Sequence, residues 1–184
     1  MSLFAVTLTT AALLLVFGAA LLWSGPLVER AAQAFPRSKP AALVFFGAAT
    51  LWFLDLLSKL GPADFGDYRQ IFIFVFAAVG LGAFFVAKDF LAVRGVAVLL
   101  LLAARPALDV SLTYTPPPES RVWLNAFLYV IIVLSIYLGT APYQARDLIS
   151  WLFTKPVRAR SLGAVCAGYA LALAALASTY HGKY

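Results

Sequence analysis

The sequence predicts an all-α membrane protein, a six-transmembrane-helix bundle with two short interfacial helices on the cytoplasmic side. Three observations support this. Of the 184 residues, 63% are hydrophobic and 12% are charged, which is about half the charged share of a soluble domain. Six apolar stretches each approach the roughly 20 residues that cross the hydrocarbon core. The surplus positive charge falls on alternate joints between them. Residues 1–184 are therefore predicted to form a single polytopic transmembrane domain.

The six apolar stretches follow one another with short charged joints between them. The sequence predicts membrane spans at residues 3–23, 41–60, 71–87, 90–108, 122–139 and 161–180. The first span is not typical of a cleaved signal peptide, because it lacks a basic start and its apolar run is too long. The third and fourth stretches are kept apart, since one continuous helix would leave Lys88, Asp89 and Arg94 at mid-membrane.

The charges in the joints predict the orientation of the spans. One alternate set of joints carries nine Lys and Arg residues against three acidic ones, and the other set carries five against five. The positive-inside tendency places the first set in the cytoplasm and both termini outside it, in a multi-pass protein of the cell membrane, most simply a bacterial inner membrane. Because orientation explains the formal charge of +6, no nucleic-acid partner is expected. The predicted interfacial basic residues are Arg30, Arg37, Lys39, Arg146, Lys155, Arg158 and Arg160.

Two cytoplasmic joints have the pattern of short amphipathic helices. One begins after Ser24 and Gly25 and ends at Pro36, and the other covers residues 143–153. Both are predicted to lie in the membrane interface with their basic residues toward lipid headgroups. The alternative is that they are docking surfaces for a cytoplasmic partner or for anionic lipid. On the opposite face, Thr115 and the three prolines at 116–118 predict a stiff extended joint over residues 109–121.

Four charged residues near the outer ends of two spans form a candidate polar cluster. Asp55 lies in the second span with Lys59 one turn later, and Arg105 and Asp109 lie at a similar depth in the fourth. An ionisable group in lipid must be paired, hydrated or extended to the interface. One hypothesis is a hydrated cluster that binds an ion or a small polar solute. The other, which we favour, is structural: Asp55 pairs with Lys59 or Arg105, and Arg105 pairs with Asp109.

Small residues in the last span predict close helix packing. Gly163, Ala164, Gly168 and Ala172 would let a neighbouring backbone approach, and we expect this helix to be buried. The third and fifth spans are rich in phenylalanine and β-branched residues, which suit lipid or a partner subunit. A phenylalanine-rich wall also suits a quinone or acyl-chain groove, although no polar headgroup-binding set accompanies it.

No catalytic, metal-binding or cofactor-binding motif is present, and the chain holds one cysteine and one histidine, Cys166 and His181. We therefore expect neither enzymatic activity nor a cofactor. Three functions remain, in order of preference. The first is a non-catalytic subunit or scaffold of a membrane assembly, with a protein partner or a homo-oligomer. The second is a transporter or channel for ions or small solutes that uses Asp55 and Arg105. The third is a protein that handles lipid or quinone.

Overall fold

The computed structural model describes residues 2–61, 65–87, 89–113 and 119–180. Within these residues all regular secondary structure is helical, and there is no strand. Six of the eight α-helices are long and apolar enough to cross a membrane, and the other two, α2 and α7, occupy the predicted short joints. The helices are α1 (Leu3–Trp23), α2 (Pro26–Ala34), α3 (Lys39–Ser58), α4 (Arg69–Val86), α5 (Leu91–Thr113), α6 (Arg121–Thr140), α7 (Tyr143–Phe153) and α8 (Pro156–Ser178). The predicted fold class is therefore confirmed, and the chain is a multi-pass membrane protein.

Local signals in the sequence account for several helix ends. The side chains of Ser2 and Ser38 accept hydrogen bonds from the backbone N–H groups of Ala5 and Ala41, at 3.2 and 3.3 Å, and so cap α1 and α3. Helix α1 ends at Ser24, which adopts a left-handed conformation with φ of 44° while its N–H bonds back into the last turn.

Two predicted boundaries were wrong. Helix α5 continues to Thr113, five residues beyond the predicted end at Leu108. Pro106 lies inside this helix, and no further helix-breaking residue follows until the prolines at 116–118, which lie outside the described residues. Helix α8 begins at Pro156 rather than at Ser161. Proline suits a first helical turn, where its missing N–H has no partner to lose. Arg158 and Arg160 consequently belong to α8 rather than to the joint before it.

The chain divides into two compact units, neither continuous in sequence, and the prediction of a single domain stays a prediction. Unit 1 comprises Met1–Gln33, Ala104–Val133 and Asp147–Tyr184. In it α1 and α8 lie against each other, and the phenol of Tyr169 donates a hydrogen bond of 2.7 Å to the backbone oxygen of Trp123 on α6. A large buried cluster of unit 1 consists of Leu3, Val6, Ala11, Leu124, Leu128, Leu173, Ala177 and Tyr180, and a smaller one of Leu21, Leu152 and Ala159.

Unit 2 comprises Ala34–Ala103 and Leu134–Arg146. Its centre is the packing of α3 against α4 and against the first half of α5. The rings of Phe46 and Phe84 meet edge to face with centroids 5.5 Å apart, and Gly95 of α5 lies directly against the backbone of α3. The buried cluster of this unit is Ala42, Leu91 and Ala92.

Candidate functional site

Helices α1 and α8 approach each other through glycines on both sides. A Cβ added at Gly18 would lie 2.9 Å from the backbone N of Ala167 and from the backbone O of Gly163. A Cβ added at Gly163 would lie 2.8 Å from the backbone N of Leu22 and from the backbone O of Gly18. Real Cβ atoms essentially never lie within 3.0 Å of such atoms, so the contact requires glycine at both positions. Such close backbone approach is what small residues permit between membrane helices.

The small residues predicted to pack on α8 fall on two different sides of the helix. Gly163 is buried against α1, whereas Ala164, Gly168 and Ala172 are exposed. A Cβ added at Gly168 would meet nothing within 4 Å. The expectation of a wholly buried α8 was therefore wrong for this side, which α1 does not cover. The buried residues of α8 are Ala159, Gly163, Ala170, Leu173 and Ala177.

The exposed side of α8 carries a continuous row of small side chains. Ser161 and Ala175 are also exposed. Ser161 lies three residues before Ala164, and Ala175 lies three residues after Ala172. At 3.6 residues per turn these five residues share one helix face. We call them the small-residue row; its members are Ser161, Ala164, Gly168, Ala172 and Ala175. Two bulky and exposed side chains flank the row, Val165 and Leu171, at 67% and 60% exposure.

The four residues of the predicted polar cluster do not all behave alike. Lys59 Nζ lies 2.6 Å from Asp55 Oδ2, an ion pair along α3 between two exposed side chains. Arg105 and Asp109 are exposed on α5, and among the described residues no ion pair joins them. The first pair belongs to unit 2, and the other two residues to unit 1. Asp55 thus has the structural partner that its spacing predicts, and a solute-binding cluster stays a prediction.

The interfacial basic residues lie where short and long helices join. Arg158 is held most firmly: its Nη1 donates to the backbone O of Trp151 at 3.0 Å and its Cζ lies 4.4 Å from the ring centroid of the same residue. The Cζ of Arg37 lies 5.7 Å from the ring centroid of Phe90. The others are exposed: Arg30, Lys39, Arg146, Lys155 and Arg160.

Unit 2 contains a cleft of about 590 Å³ where the ends of α4 and α6 meet the starts of α5 and α7. We call it the α4–α6 cleft. Its polar side chains come from four places: Asp89 from the joint after α4, Arg94 from the first turn of α5, Thr140 from the end of α6 and Tyr143 from the start of α7. Its remaining walls are Phe85, Val86, Ala87, Phe90 and Pro142. Both joints belong to the face that the charges predict to be cytoplasmic.

Opposite charges line this cleft without joining each other. No side-chain hydrogen bond or ion pair is found for Asp89 or Arg94 within the described part of the chain. Phe90, just before α5, has a φ of 61°, which is rare for an aromatic residue. From sequence, Asp89 and Arg94 indicated the orientation of the spans and the break between the third and the fourth. The signal for a cleft was a short joint bearing both signs of charge beside an aromatic residue.

Metal binding has no structural support among the described residues, since no three His, Cys, Asp or Glu side chains come together there. No family model, curated protein or solved structure matches the chain. Function must therefore be inferred from the small-residue row and the α4–α6 cleft themselves.

Proposed function

We propose that this chain is a non-catalytic integral subunit of a membrane assembly, and that the small-residue row of α8 is where a transmembrane helix of another subunit docks. The observation that carries the proposal is an exposed face of five small residues on a membrane-length helix. Lipid tails are as apolar as leucine, so hydrophobicity alone does not bring membrane helices together. Close packing brings membrane helices together, and small residues permit close packing.

The chain already has one close helix–helix contact of this kind. On its other side α8 approaches α1 so closely that neither Gly18 nor Gly163 has room for a Cβ. The small-residue row offers the same kind of surface with nothing within 4 Å of a Cβ at Gly168. The flanking Val165 and Leu171 would lie on either side of a docked helix and fix its position.

The other exposed faces favour lipid instead. Helix α4 presents Phe74, Val79 and Phe85 to its surroundings, and only 6% of its span window is buried. Bulky, flexible surfaces of this kind are covered by acyl chains without a specific partner. Solute transport has weaker support, because Lys59 already neutralises Asp55 along α3. Lipid or quinone handling as the main function also has weaker support, because α4 itself carries no polar side chain between Ile71 and Val86.

The test is the size of the particle purified in mild detergent from its native membrane. We expect the unaltered chain to run as part of a larger complex, either with another protein or with a second copy. Gly168→Leu should release it as a monomer. The thermal unfolding midpoint of that monomer should equal that of the unaltered chain after separation from its complex. The matched control is Gly82→Leu on α4, where an added Cβ also meets nothing within 4 Å; it should leave the complex intact. A monomeric unaltered chain, or equal effects of the two substitutions, would refute the proposal.

We also propose that both termini lie outside the cytoplasm, in the cell membrane. This rests on the excess of Lys and Arg in the joints that contain α2, α7 and the start of α5. In a Cys166→Ala background, single cysteines at Arg37 and Arg158 should both react with a membrane-impermeant thiol reagent only after the cytoplasmic face is opened. Reaction of either one in intact cells would overturn this orientation.

A further inference from the structure

We propose that the α4–α6 cleft binds the headgroup of a zwitterionic phospholipid with a primary ammonium, its phosphate on Arg94 and its ammonium on Asp89. This binding site does not depend on the docking function proposed for α8. All residues that line the cleft belong to unit 2.

The α4–α6 cleft contains two opposite charges that are not paired with each other. Asp89 and Arg94 line one cleft of about 590 Å³, yet no ion pair joins them in the part of the chain that the structure describes. A ligand with a single charge would satisfy one side chain and be repelled by the other. A ligand with both charges satisfies both, and it bridges the distance that the two side chains leave between them.

Arg94 is placed to receive a phosphate. Its neighbours Leu91, Ala92, Val93 and Gly95 are all buried, whereas Arg94 is half-buried and lines the cleft. A guanidinium in the first turn of a membrane span needs an anion nearby, and lipid phosphates occupy that depth. The planar guanidinium can donate two parallel hydrogen bonds to phosphate oxygens.

The hydroxyl groups of the cleft suit the same ligand. The hydroxyl of Thr140 donates within its own helix to the carbonyl oxygens of Ile136 and Tyr137, each at 3.0 Å, so toward the cleft it can only accept. The phenol of Tyr143 has no hydrogen-bond partner among the described residues and can donate to phosphate. The cleft thus offers donors and acceptors for both ends of the headgroup.

Asp89 sets the selectivity among headgroups. A carboxylate beside the phosphate site repels an anionic headgroup such as phosphatidylglycerol. A primary ammonium, as in phosphatidylethanolamine, can donate hydrogen bonds to this carboxylate. The quaternary ammonium of phosphatidylcholine has no N–H to donate. We therefore expect the order ethanolamine, then choline, then glycerol headgroup.

The apolar edge of the cleft identifies the source of the headgroup as a lipid. Phe85 and Val86, at the end of α4, are 77% and 89% exposed and form an apolar edge of the cleft wall. An acyl chain that lies along them removes apolar surface from water and leads from the headgroup into the bilayer. A lipid held by its headgroup in the cleft places one of its acyl chains there, and a water-soluble zwitterion has no such chain.

The experiment measures lipid binding to the delipidated full chain in neutral detergent by native mass spectrometry. The three phospholipids named above are titrated with identical acyl chains, and water-soluble phosphoethanolamine serves as competitor. The ethanolamine lipid should bind most tightly, and Arg94→Gln should weaken it about tenfold through loss of charge-assisted hydrogen bonds. Arg69→Gln removes an exposed arginine at the start of α4, at the other end of that helix from the cleft, and is the matched control, expected to change nothing.

Asp89→Asn gives an independent test, because this exposed joint residue can change without disturbing a core. It should weaken the preference for ethanolamine over choline, because the amide oxygen still accepts a hydrogen bond but carries no charge, and it should strengthen binding of the glycerol headgroup. Unchanged selectivity in Asp89→Asn overturns the proposal, even where Arg94→Gln lowers the yield of folded protein. Equal effects of Arg94→Gln and Arg69→Gln also overturn it. Full competition by phosphoethanolamine at lipid concentrations would show a soluble ligand and overturn the assignment to lipid.

Discussion

Replacing Gly95 with alanine is expected to force α5 away from α3. A Cβ at Gly95 would lie 2.4 Å from the backbone N of Phe46 and 2.7 Å from the backbone C of Phe45. Ordinary van der Waals contact begins at 3.4 Å. To move from 2.4 Å to that distance, the two helices would have to separate by 1.0 Å. The atoms in the way belong to the backbone of a helix, which cannot turn aside as the end of a side chain can.

The expected loss follows from that separation. A gap of roughly 0.5–1 Å forfeits a quarter to a half of the dispersion attraction between facing atoms, and overpacking a close contact costs about 1–3 kcal/mol. Alanine offsets about 0.5–1 kcal/mol of this, because it favours helix more than glycine does. We therefore expect Gly95→Ala to lower the free energy of unfolding by about 1–2 kcal/mol.

The assay is unfolding of the purified chain in mixed micelles of mild detergent and dodecyl sulfate, followed by circular dichroism. The matched control is Gly82→Ala on α4, where an added Cβ meets nothing within 4 Å. Only the helix propensity changes there, so this substitution should be neutral or stabilise the chain by up to about 1 kcal/mol. If Gly95→Ala proves as stable as Gly82→Ala, the backbone contact between α3 and α5 does not exist as described.

Three further outcomes can be measured with the same unfolding assay. Gly80→Ala should destabilise the chain by about 1 kcal/mol, because its Cβ would lie 2.5 Å from Cγ2 of Thr50. Adding Thr50→Ser, which removes that methyl group, should recover most of the loss; no recovery would contradict the contact. A double-mutant cycle between Arg158→Gln and Trp151→Leu should give a coupling of about 0.5–1 kcal/mol from their cation–π contact, and additive effects would argue against it. Ser111→Ala should be neutral or stabilise the chain by up to about 1 kcal/mol, since the buried hydroxyl has no hydrogen-bond partner among the described residues. A clear loss of stability there would mean that the hydroxyl is bonded after all.

The number and positions of the membrane helices could be predicted from sequence because they depend on local properties. An apolar run of sufficient length is enough to indicate a span, and charges at its ends separate it from the next. The ends were harder to place. A proline within the joint before the last span could either end the preceding short helix or start the next, and at Pro156 it starts α8.

The candidate sites show a similar division between local and distant information. The Asp55–Lys59 pair lies one turn apart on one helix, so its spacing alone predicts it. Helix α8 carries small residues on several faces, and periodicity cannot tell which of them α1 will contact. The α4–α6 cleft brings together residues about 50 positions apart in the sequence, such as Asp89 and Tyr143, and no local pattern encodes this contact.

The glycine contact between α1 and α8 also sets an order of events during biosynthesis. Residues 24–155 lie between the two helices, so 132 residues are translated after α1 is complete and before α8 begins. At about 5–20 residues per second, that interval lasts roughly 7–26 s. During this interval, the face of α1 around Gly18 must be shielded by lipid or by the insertion machinery. Unit 1 can therefore close only after α8 has been translated, and a nascent chain stalled before α8 would leave the α1 face around Gly18 open to other membrane helices.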